Sequence, residues 1–137
     1  MYVTELARAT GIAPDTIRYY TKIGLLQPVR DPDNKYHVFN AADGDRLRFI
    51  RAAKGLGYTL SDIRKIFSDA NSGQSACPRA RALIEKHLKE TDERLAELTA
   101  LRERMVSALA AWEKLPDSQP TSESVCALIE SLSDPKA

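Results

Sequence analysis

The sequence predicts a mainly α-helical protein in which an N-terminal winged helix-turn-helix precedes a long dimerisation helix and a short C-terminal helix. Three observations support this fold class: two short helical patterns on either side of a glycine, two strand-like runs around a turn, and apolar residues that alternate spacings of four and three from position 84 to 112. The predicted ranges are 1–69 for the helix-turn-helix domain, 70–77 for a linker, 78–113 for the long helix and 114–137 for a C-terminal loop and helix.

The first two helices are predicted from residues that start and stop helices. Thr4 is a candidate N-cap for the first helix, and Gly11 ends that helix in a tight turn. Pro14 fits the first position of the second helix, which stops at Gly24. The two helices are expected to form a core from Leu6, Ile12, Ile17 and Ile23.

A hairpin and two further helices are expected next. The runs 26–30 and 36–39 are strand-like, and the Asp-Pro-Asp-Asn-Lys segment between them is typical of a turn. A hairpin directly after a helix-turn-helix is a wing. Asn40 is predicted to cap the third helix with Asp43 as its reciprocal partner, and Ser61 with Asp62 to start the fourth.

The long helix carries an apolar stripe over about four heptads. Polar residues 68–76 precede this helix, and His87 is placed beside the stripe as a polar flank. A lone helix of this length cannot bury one stripe by itself, and a second copy of the chain is the economical partner. The sequence therefore predicts a homodimer held by an antiparallel coiled coil. The stripe consists of Ile84, Leu88, Thr91, Leu95, Leu98, Arg102, Met105, Leu109 and Trp112.

The composition indicates an ordinary soluble protein. Of the 137 residues, 43% are hydrophobic and 28% are charged. No apolar run approaches the roughly 20 residues that span a bilayer, and no secretory signal is apparent, so we expect a cytoplasmic protein that contacts no membrane. Two cysteines are too few for a disulfide framework. Residues 1–69 hold 11 Lys and Arg against 8 Asp and Glu, whereas residues 70–137 hold 9 against 11, so the basic excess lies in the N-terminal half.

The most specific pattern is an ordered series of aromatic, glycine and basic positions. The series runs through Thr-Ile-Arg-Tyr-Tyr at 16–20, Gly-Leu-Leu at 24–26, Pro28, Arg30, Tyr36 and Phe39. It closely resembles the MerR family of transcription regulators, nearest to the heavy-metal-responsive branch, and the resemblance extends over nearly the whole chain. It implies a dimeric regulator, not an enzyme, that binds a palindromic operator in double-stranded promoter DNA. It also implies activation of RNA polymerase by distortion of that promoter.

The resemblance and the side-chain chemistry together predict a DNA-contacting set. The Arg18 guanidinium is a fork that binds two acceptors, so it suits a base edge or a phosphate. Of Tyr19 and Tyr20, one ring packs inward and the other offers its hydroxyl to a phosphate, and the resemblance favours Tyr19 as the outward ring. His37 stands where the family often has Arg, so we expect a weaker and more pH-dependent phosphate contact there. The full predicted set is Thr16, Arg18, Tyr19, Tyr20, Lys22, Arg30, Lys35, Tyr36, His37, Arg48 and Arg51.

Cys77 is the second candidate site. It precedes a proline at a predicted helix N-terminus, where free backbone N–H groups and the helix dipole favour a thiolate. The resemblance implies that Cys77 binds a soft divalent metal ion (mercury, cadmium, lead or zinc) together with Cys126 of the partner subunit. Trp112 stands where the family has a further ligating cysteine. Two sulfurs suffice for linear Hg²⁺, whereas tetrahedral Zn²⁺ needs more donors, from Asp117, Glu123, a His or water.

Two alternatives stay open at this point. The first keeps DNA binding but replaces the metal with thiol chemistry, in which Cys77 is oxidised, alkylated or paired with Cys126 in a disulfide. The second is an enzyme or a pure interaction module. The sequence shows no nucleophile with a base and an orienting group, no phosphate-binding glycine loop and no paired carboxylates, so we expect no enzymatic activity.

Overall fold

The computed structural model describes residues 1–132 and confirms the mainly α-helical prediction. Its elements in chain order are α1 (Val3–Thr10), α2 (Pro14–Lys22), β1 (Val29–Arg30), β2 (His37–Val38), α3 (Ala41–Gly55), α4 (Leu60–Asn71), α5 (Cys77–Trp112) and α6 (Ala127–Glu130). The chain divides into two compact units, one of residues Met1–Leu88 and a second that begins at Lys89. In the described part of the chain, no helix combines the length and the apolar character needed to cross a membrane.

The helix-turn-helix consists of α1 and α2, and α1 begins earlier than predicted. The N-cap is Tyr2, whose backbone N–H donates to the Glu5 carboxylate at 3.2 Å. The prediction of Thr4 as the cap is therefore wrong, because an acidic side chain at the third helical position already satisfies the free donor at the helix start. Gly11 ends α1 as predicted, with a left-handed φ of 73° and its N–H 2.8 Å from the Ala7 carbonyl oxygen.

The core of the first unit lies where the four helices α1 to α4 meet the wing. Of the residues predicted from the helix-turn-helix, Leu6 and Ile17 are buried, whereas Ile12 and Ile23 pack half-buried at the edge. Gly24, with a φ of 85°, reverses the chain after α2 so that the next two leucines enter the core. The buried cluster comprises Leu6, Ile17, Tyr20, Leu25, Leu26, Phe39, Leu47, Ile50, Ala53 and Ile63.

The wing is an antiparallel pair of strands, β1 and β2, as predicted. The paired residues are Val29 with Val38 and Arg30 with His37. Each strand has two residues, fewer than the predicted runs, because the backbone N–H of Phe39 donates to the Met1 carbonyl at 2.7 Å instead of extending the hairpin. The turn between the strands contains Lys35, which has a left-handed φ of 65°.

Reciprocal caps start both α3 and α4. Asn40 and Asp43 exchange hydrogen bonds of 3.0 Å between backbone and side chain, as predicted. At α4 the reciprocal partner of Asp62 is Thr59 and not Ser61, with hydrogen bonds of 3.0 and 3.1 Å. Ser61 already lies inside the first turn of α4, so its backbone is helical and its hydroxyl is too late in the chain to cap the helix.

The start of α5 packs on α4 within the first unit. Only residues 72–76 separate the two helices. The Tyr58 hydroxyl donates to the Ala80 carbonyl at 2.7 Å, and a ring nitrogen of His87 lies 2.7 Å from the Asp62 carboxylate. This face of α5 therefore meets α4, and the place of His87 beside the coiled-coil stripe stays a prediction.

The second unit contains the rest of α5 and the C-terminal loop. Within it, four apolar side chains of the stripe are between 57% and 68% exposed: Leu95, Leu98, Met105 and Leu109. The Glu130 carboxylate accepts hydrogen bonds from the Ser124 hydroxyl and the Val125 N–H, and these bonds hold the pKa of Glu130 below its ordinary value. The Glu130 side chain of α6 thus binds the end of the loop that precedes this helix.

Truncation of the core leucine Leu47, which is 0% exposed, tests the packing of the first unit. We expect Leu47→Ala to lower the free energy of unfolding by about 2–5 kcal/mol because it leaves a cavity. Urea denaturation followed by circular dichroism, at one fixed protein concentration, measures the change. Leu56→Ala removes the same atoms from a side chain that is 67% exposed, so it should cost less than about 0.5 kcal/mol. Equal losses in the two variants would contradict the assigned core.

Candidate nucleic-acid interface

A basic groove lies between the start of α1, the exposed face of α2 and the wing, and it has a volume of about 960 Å³. Four lining residues carry positive charge, namely Arg18, Lys22, Arg30 and Lys35. Polar, aromatic and apolar groups complete the lining: Tyr2, Val3, Thr4, Thr21, Asn34, Tyr36, His37 and Phe39. Among the residues that the structure describes, no Asp or Glu lines the groove. Cations without intervening carboxylates attract a polyanion such as a nucleic-acid backbone.

The recognition face of α2 presents two of these cations one helical turn apart. Arg18 and Lys22 are separated by four residues, so they share a face of the helix. Arg18 Nη1 lies 2.8 Å from Asp15 Oδ1, and the two side chains are 58% and 95% exposed. An ion pair this exposed contributes little to stability. A phosphate or a base edge can therefore replace Asp15 as the partner of Arg18 at small cost.

The two tyrosines of α2 differ in exposure, although their ring centroids lie only 6.2 Å apart. Tyr19 is 51% exposed, whereas Tyr20 is 8% exposed and belongs to the core. The prediction of Tyr19 as the outward ring is confirmed. Tyr20 packs in the core, and a DNA contact by its hydroxyl stays a prediction. Thr16 is half-buried on α2, and neither Thr16 nor Tyr19 lines the groove in the described part of the chain.

Tyr2 fastens the wing to the start of α1. Its hydroxyl donates to the Asp31 carboxylate at 3.1 Å and accepts from Asn34 Nδ2 at 3.2 Å. Its ring meets the Tyr36 ring edge-on, with 6.2 Å between the centroids. The Asp33 N–H and the Tyr2 hydroxyl hold the pKa of Asp31 below its ordinary value, so Asp31 stays a charged acceptor near neutral pH. Tyr2 was not among the predicted site residues, because its contact with Asp31 joins positions 29 residues apart and leaves no local signal in the sequence.

The wing presents its cations from a constrained turn. Lys35 Nζ donates to the Pro32 carbonyl at 3.3 Å, and Arg30 Nη1 donates to the Lys35 carbonyl at 2.8 Å. His37 lies in β2 and lines the groove. Its Nδ1 is buried and has no hydrogen-bond partner among the described residues. Buried polar atoms ordinarily bond a partner, so this nitrogen is an exception in the wing.

Two predicted contact residues on α3 lie outside the groove and have partners within the protein. Arg48 forms an exposed ion pair with Asp45 one turn earlier on α3. The Arg51 guanidinium donates to the Thr10 carbonyl at the end of α1. That carbonyl belongs to the last turn of the helix, where acceptors lack helical partners, so Arg51 ties α3 to the turn of the helix-turn-helix. DNA contact by these two arginines stays a prediction.

The two thiols occupy helix starts. Cys77 is the first residue of α5 and is exposed, and its N–H donates to the Ser75 hydroxyl at 3.3 Å. Cys126 is the N-cap of α6 and is half-buried. Within residues 1–132, no three or more His, Cys, Asp or Glu side chains are grouped so that they could hold a metal ion. A single copy of this part of the chain therefore provides no complete tetrahedral donor set.

Comparison with known proteins identifies the family. The protein-family model described as "MerR HTH family regulatory protein" matches residues 1–70, and the family model "MerR, DNA binding" matches residues 45–108. The HTH-type transcriptional regulator HmrR of Rhizobium leguminosarum bv. viciae is 32% identical over 137 residues, which cover 98% of each chain. The chain belongs to the MerR family. It is therefore a DNA-binding transcription regulator and not an enzyme, and MerR regulators act at promoters with RNA polymerase.

Two further relatives extend the likeness to nearly the full length. The mercuric resistance operon regulatory protein of Bacillus cereus is 28% identical, and the match covers 95% of each chain. The crystal structure of the transcription regulator PbrR691 from Ralstonia metallidurans CH34, in complex with lead(II), has a TM-score of 0.77 and 23% identity, and covers 97% of this chain and 99% of that one. The MerR fold thus accounts for both units of the chain.

The charge of the groove can be tested through the salt dependence of DNA binding. We expect Lys22→Gln to weaken binding and to lower the slope of log affinity against log salt by about 0.9, because one fewer phosphate is neutralised. Fluorescence anisotropy with a duplex from the gene's own upstream region measures the slope. Lys86→Gln, which removes a charge from α5 outside the groove, is the matched control and should keep the wild-type slope. An unchanged slope in Lys22→Gln would contradict a phosphate contact.

The role of Tyr2 can be separated from that of the cations in the same assay. Tyr2→Phe removes the hydroxyl that joins the wing to α1 but leaves every charge in place. We expect affinity to fall by roughly two- to tenfold, the equivalent of about one hydrogen bond. The salt slope should stay that of the wild type. A lower slope, or full wild-type affinity, would show that the hydroxyl does not position the wing.

Proposed function

We propose that this protein is a homodimeric activator that binds a palindromic promoter operator and responds to a soft metal ion through Cys77 and Cys126. The observation that supports the DNA-binding part is the groove between α2 and the wing, which brings four cations together with no carboxylate from residues 1–132 in its lining. Such a regulator acts where the chromosome is, so the proposal includes a cytoplasmic location. The proposed functional ranges are those predicted from the sequence: 1–69, 70–77, 78–113 and 114–137.

The proposed DNA contacts divide into two roles. Arg18 reads a base edge or grips a phosphate from α2, since its fork binds two acceptors. The groove residues Lys22, Arg30, Lys35, Tyr36 and His37 contact the backbone and fix the register of the protein on the duplex. Thr16 and Tyr19 lie on α2 beside this groove, and Arg48 and Arg51 supply outer backbone contacts. This assignment follows the polarity and exposure of the side chains in the first unit.

The proposed dimer follows from the stripe on α5. Helix α5 has 36 residues, and in a single copy five apolar side chains of the stripe are more than half exposed: Leu88, Leu95, Leu98, Met105 and Leu109. Burying these side chains stabilises a dimer by the hydrophobic effect, which is roughly 25 cal/mol per Å² of apolar surface. An antiparallel coiled coil of two α5 helices is the proposed solution. It would hold two copies of Arg18 at a fixed separation that matches a palindrome.

Activation is proposed to work through the shape of the DNA. Phosphate contacts from two wings supply the energy that bends and untwists the promoter, which then realigns the elements that RNA polymerase reads. The effector needs only to shift the balance between two dimer geometries. A coupling free energy of about 1–3 kcal/mol is sufficient for that shift.

The proposed effector site consists of Cys77 and Cys126 of the partner subunit. Thiolates are soft ligands that select ions such as Hg²⁺, Cd²⁺, Pb²⁺ and Zn²⁺. Two sulfurs match a linear mercury site, and the mercuric resistance operon regulator of Bacillus cereus and the lead(II) complex of PbrR691 are relatives whose names point to such ions. When bound, the ion would link two thiolates and so join the start of one α5 to the C-terminal loop of the partner.

A second function is favoured by one observation, the lack of any group of three metal donors within residues 1–132. In this alternative, the two thiols respond to an oxidant or an electrophile and bind no metal. Oxidation would form a disulfide between Cys77 and Cys126, with two electrons and two protons passing to a peroxide that is reduced to water. DNA binding would be as in the first proposal.

A titration with cadmium discriminates the two effectors. Metal binding predicts a stoichiometric thiolate-to-metal absorbance band that is lost in Cys77→Ser. The thiol alternative predicts no such band, together with a change in promoter output after peroxide treatment. Ser118→Ala, which alters the loop but keeps both thiols, serves as the control. A band that survives in Cys77→Ser would rule out the proposed ligand.

The separation of effector and DNA sites predicts opposite mutant behaviour. Cys77→Ser is expected to abolish induction while operator affinity stays within about twofold of the wild type, because the thiol is remote in sequence from the groove residues. Arg18→Ala is expected to weaken operator binding by at least about tenfold, the equivalent of one lost bidentate contact of about 1–3 kcal/mol. Gel shifts with the upstream duplex and a promoter-reporter assay measure the two effects. Identical behaviour of both variants would refute the two-site arrangement.

A further inference from the structure

An acid–histidine pair joins α4 to the start of α5, and neither of its residues lines the groove. The imidazole Nε2 of His87 lies 2.7 Å from Asp62 Oδ2, and the two side chains are 20% and 10% exposed. The same Asp62 oxygen accepts the Thr59 N–H at 3.0 Å. One carboxylate thus serves both as the reciprocal cap of α4 and as the partner of a residue on α5.

Neighbouring contacts enclose the imidazole and hold the same segment. The Tyr58 ring meets the His87 ring edge-on with 6.3 Å between centroids, and its hydroxyl donates to the Ala80 carbonyl at 2.7 Å. About two turns before His87, Arg79 forms a two-point ion pair with Asp69 of α4 at 2.7 and 3.1 Å. On α5 itself, the charged residues flanking His87 are Lys86 and Glu90.

The chemistry of the pair favours a protonated imidazole. Burial raises the pKa of Asp62. The hydrogen bonds from the Thr59 N–H and the His87 ring together lower this pKa by more than burial raises it, so the pKa lies below its ordinary value of 3.8. The carboxylate therefore stays ionised at neutral pH. Because the interaction is reciprocal, an ionised carboxylate at this distance stabilises the cationic form of the ring.

We propose that the Asp62–His87 pair positions the first turns of α5 on α4, and that this positioning weakens when the imidazole loses its proton. The pair would make the docking of α5 on α4 strongest in the pH range between the titration of Asp62 and that of His87. Below the ordinary titration of an aspartate the carboxylate becomes protonated, and above the titration of His87 the cation is lost. Docking should therefore weaken as the pH rises through the histidine range.

The consequence for regulation rests on the proposed role of Cys77, whereas the pair itself does not. Cys77 and His87 lie ten residues apart on the same helix, and the contacts with α4 occur between them. A change in the protonation of His87 would thus act on the segment that carries the proposed effector thiol. The effector and the pH would then bias one common element.

Hydrogen exchange of the backbone amides of residues 79–88 in the full-length protein tests the proposal. After correction for the intrinsic exchange rate, the opening equilibrium in the wild type should rise by at most tenfold per pH unit as the pH passes through the histidine range, since one proton is released, and it should level off once the imidazole is neutral. His87→Gln keeps a hydrogen-bond donor but has no titration, so its opening equilibrium should be flat over about pH 5.5–8.5. Asp62→Asn keeps an acceptor for Thr59 but removes the charge, and its slope should also be lost.

The control is Lys86→Gln, which removes the adjacent charge without touching the pair and should retain the wild-type pH profile. Nuclear magnetic resonance titration of the His87 ring supplies a second readout, in which Asp62→Asn should lower the midpoint. The proposal is overturned if the wild type and His87→Gln share one exchange profile across this pH range. It is equally overturned if the wild-type slope persists in Asp62→Asn.

Discussion

The burial of one apolar cluster in the first unit is the constraint on which the remaining geometry depends. Ile17 and Leu47 lose all their exposure where α2 meets α3, and Ile63 brings α4 against the same cluster. Because a helix repeats every 3.6 residues, placing Ile17 and Tyr20 in the core turns Arg18 and Lys22 outward. The functional face of α2 is thus a by-product of its packed face, and a repacked core would rotate the cations away from the wing.

Local charge arrangement, not the net charge, distinguishes the DNA-binding surface. The whole chain has a formal net charge of only +1 at pH 7, yet the groove holds four cations and, within the described residues, no acid. Two carboxylates bond groove residues from outside the lining: Asp15 pairs with Arg18, and Asp31 accepts the Tyr2 hydroxyl. A field of one sign in a concave surface draws a polyanion more effectively than the same charges spread evenly.

Features that depend on neighbouring residues could be predicted from the sequence, whereas contacts between residues distant in the sequence could not. Gly11, Pro14 and the Asn40 cap act within a few residues, so the helix order and the wing could be predicted from them. The fastening of the wing by Tyr2 could not, because it depends on a contact across 29 positions. The contact of His87 with Asp62 could not be predicted either, because the spacing of apolar residues defines one stripe of α5 but says nothing about which other face packs on α4. Local signals in the sequence also cannot bring Cys77 and Cys126 together, because this contact requires a second copy of the chain. It was predicted from the family resemblance alone.

At the tip of the wing, Lys35 keeps a charged side chain on a backbone conformation that is unfavourable for lysine. Its φ of 65° lies in the region that suits glycine, and side chains other than those of Asn, Asp and Gly are rarely found there. Glycine would relax this turn and strengthen the hairpin, but it would also erase the ammonium group that borders the groove. Attempts to thermostabilise this regulator by relieving strained turns should therefore leave the tip of the wing untouched, since the more stable variant would be the poorer binder of DNA.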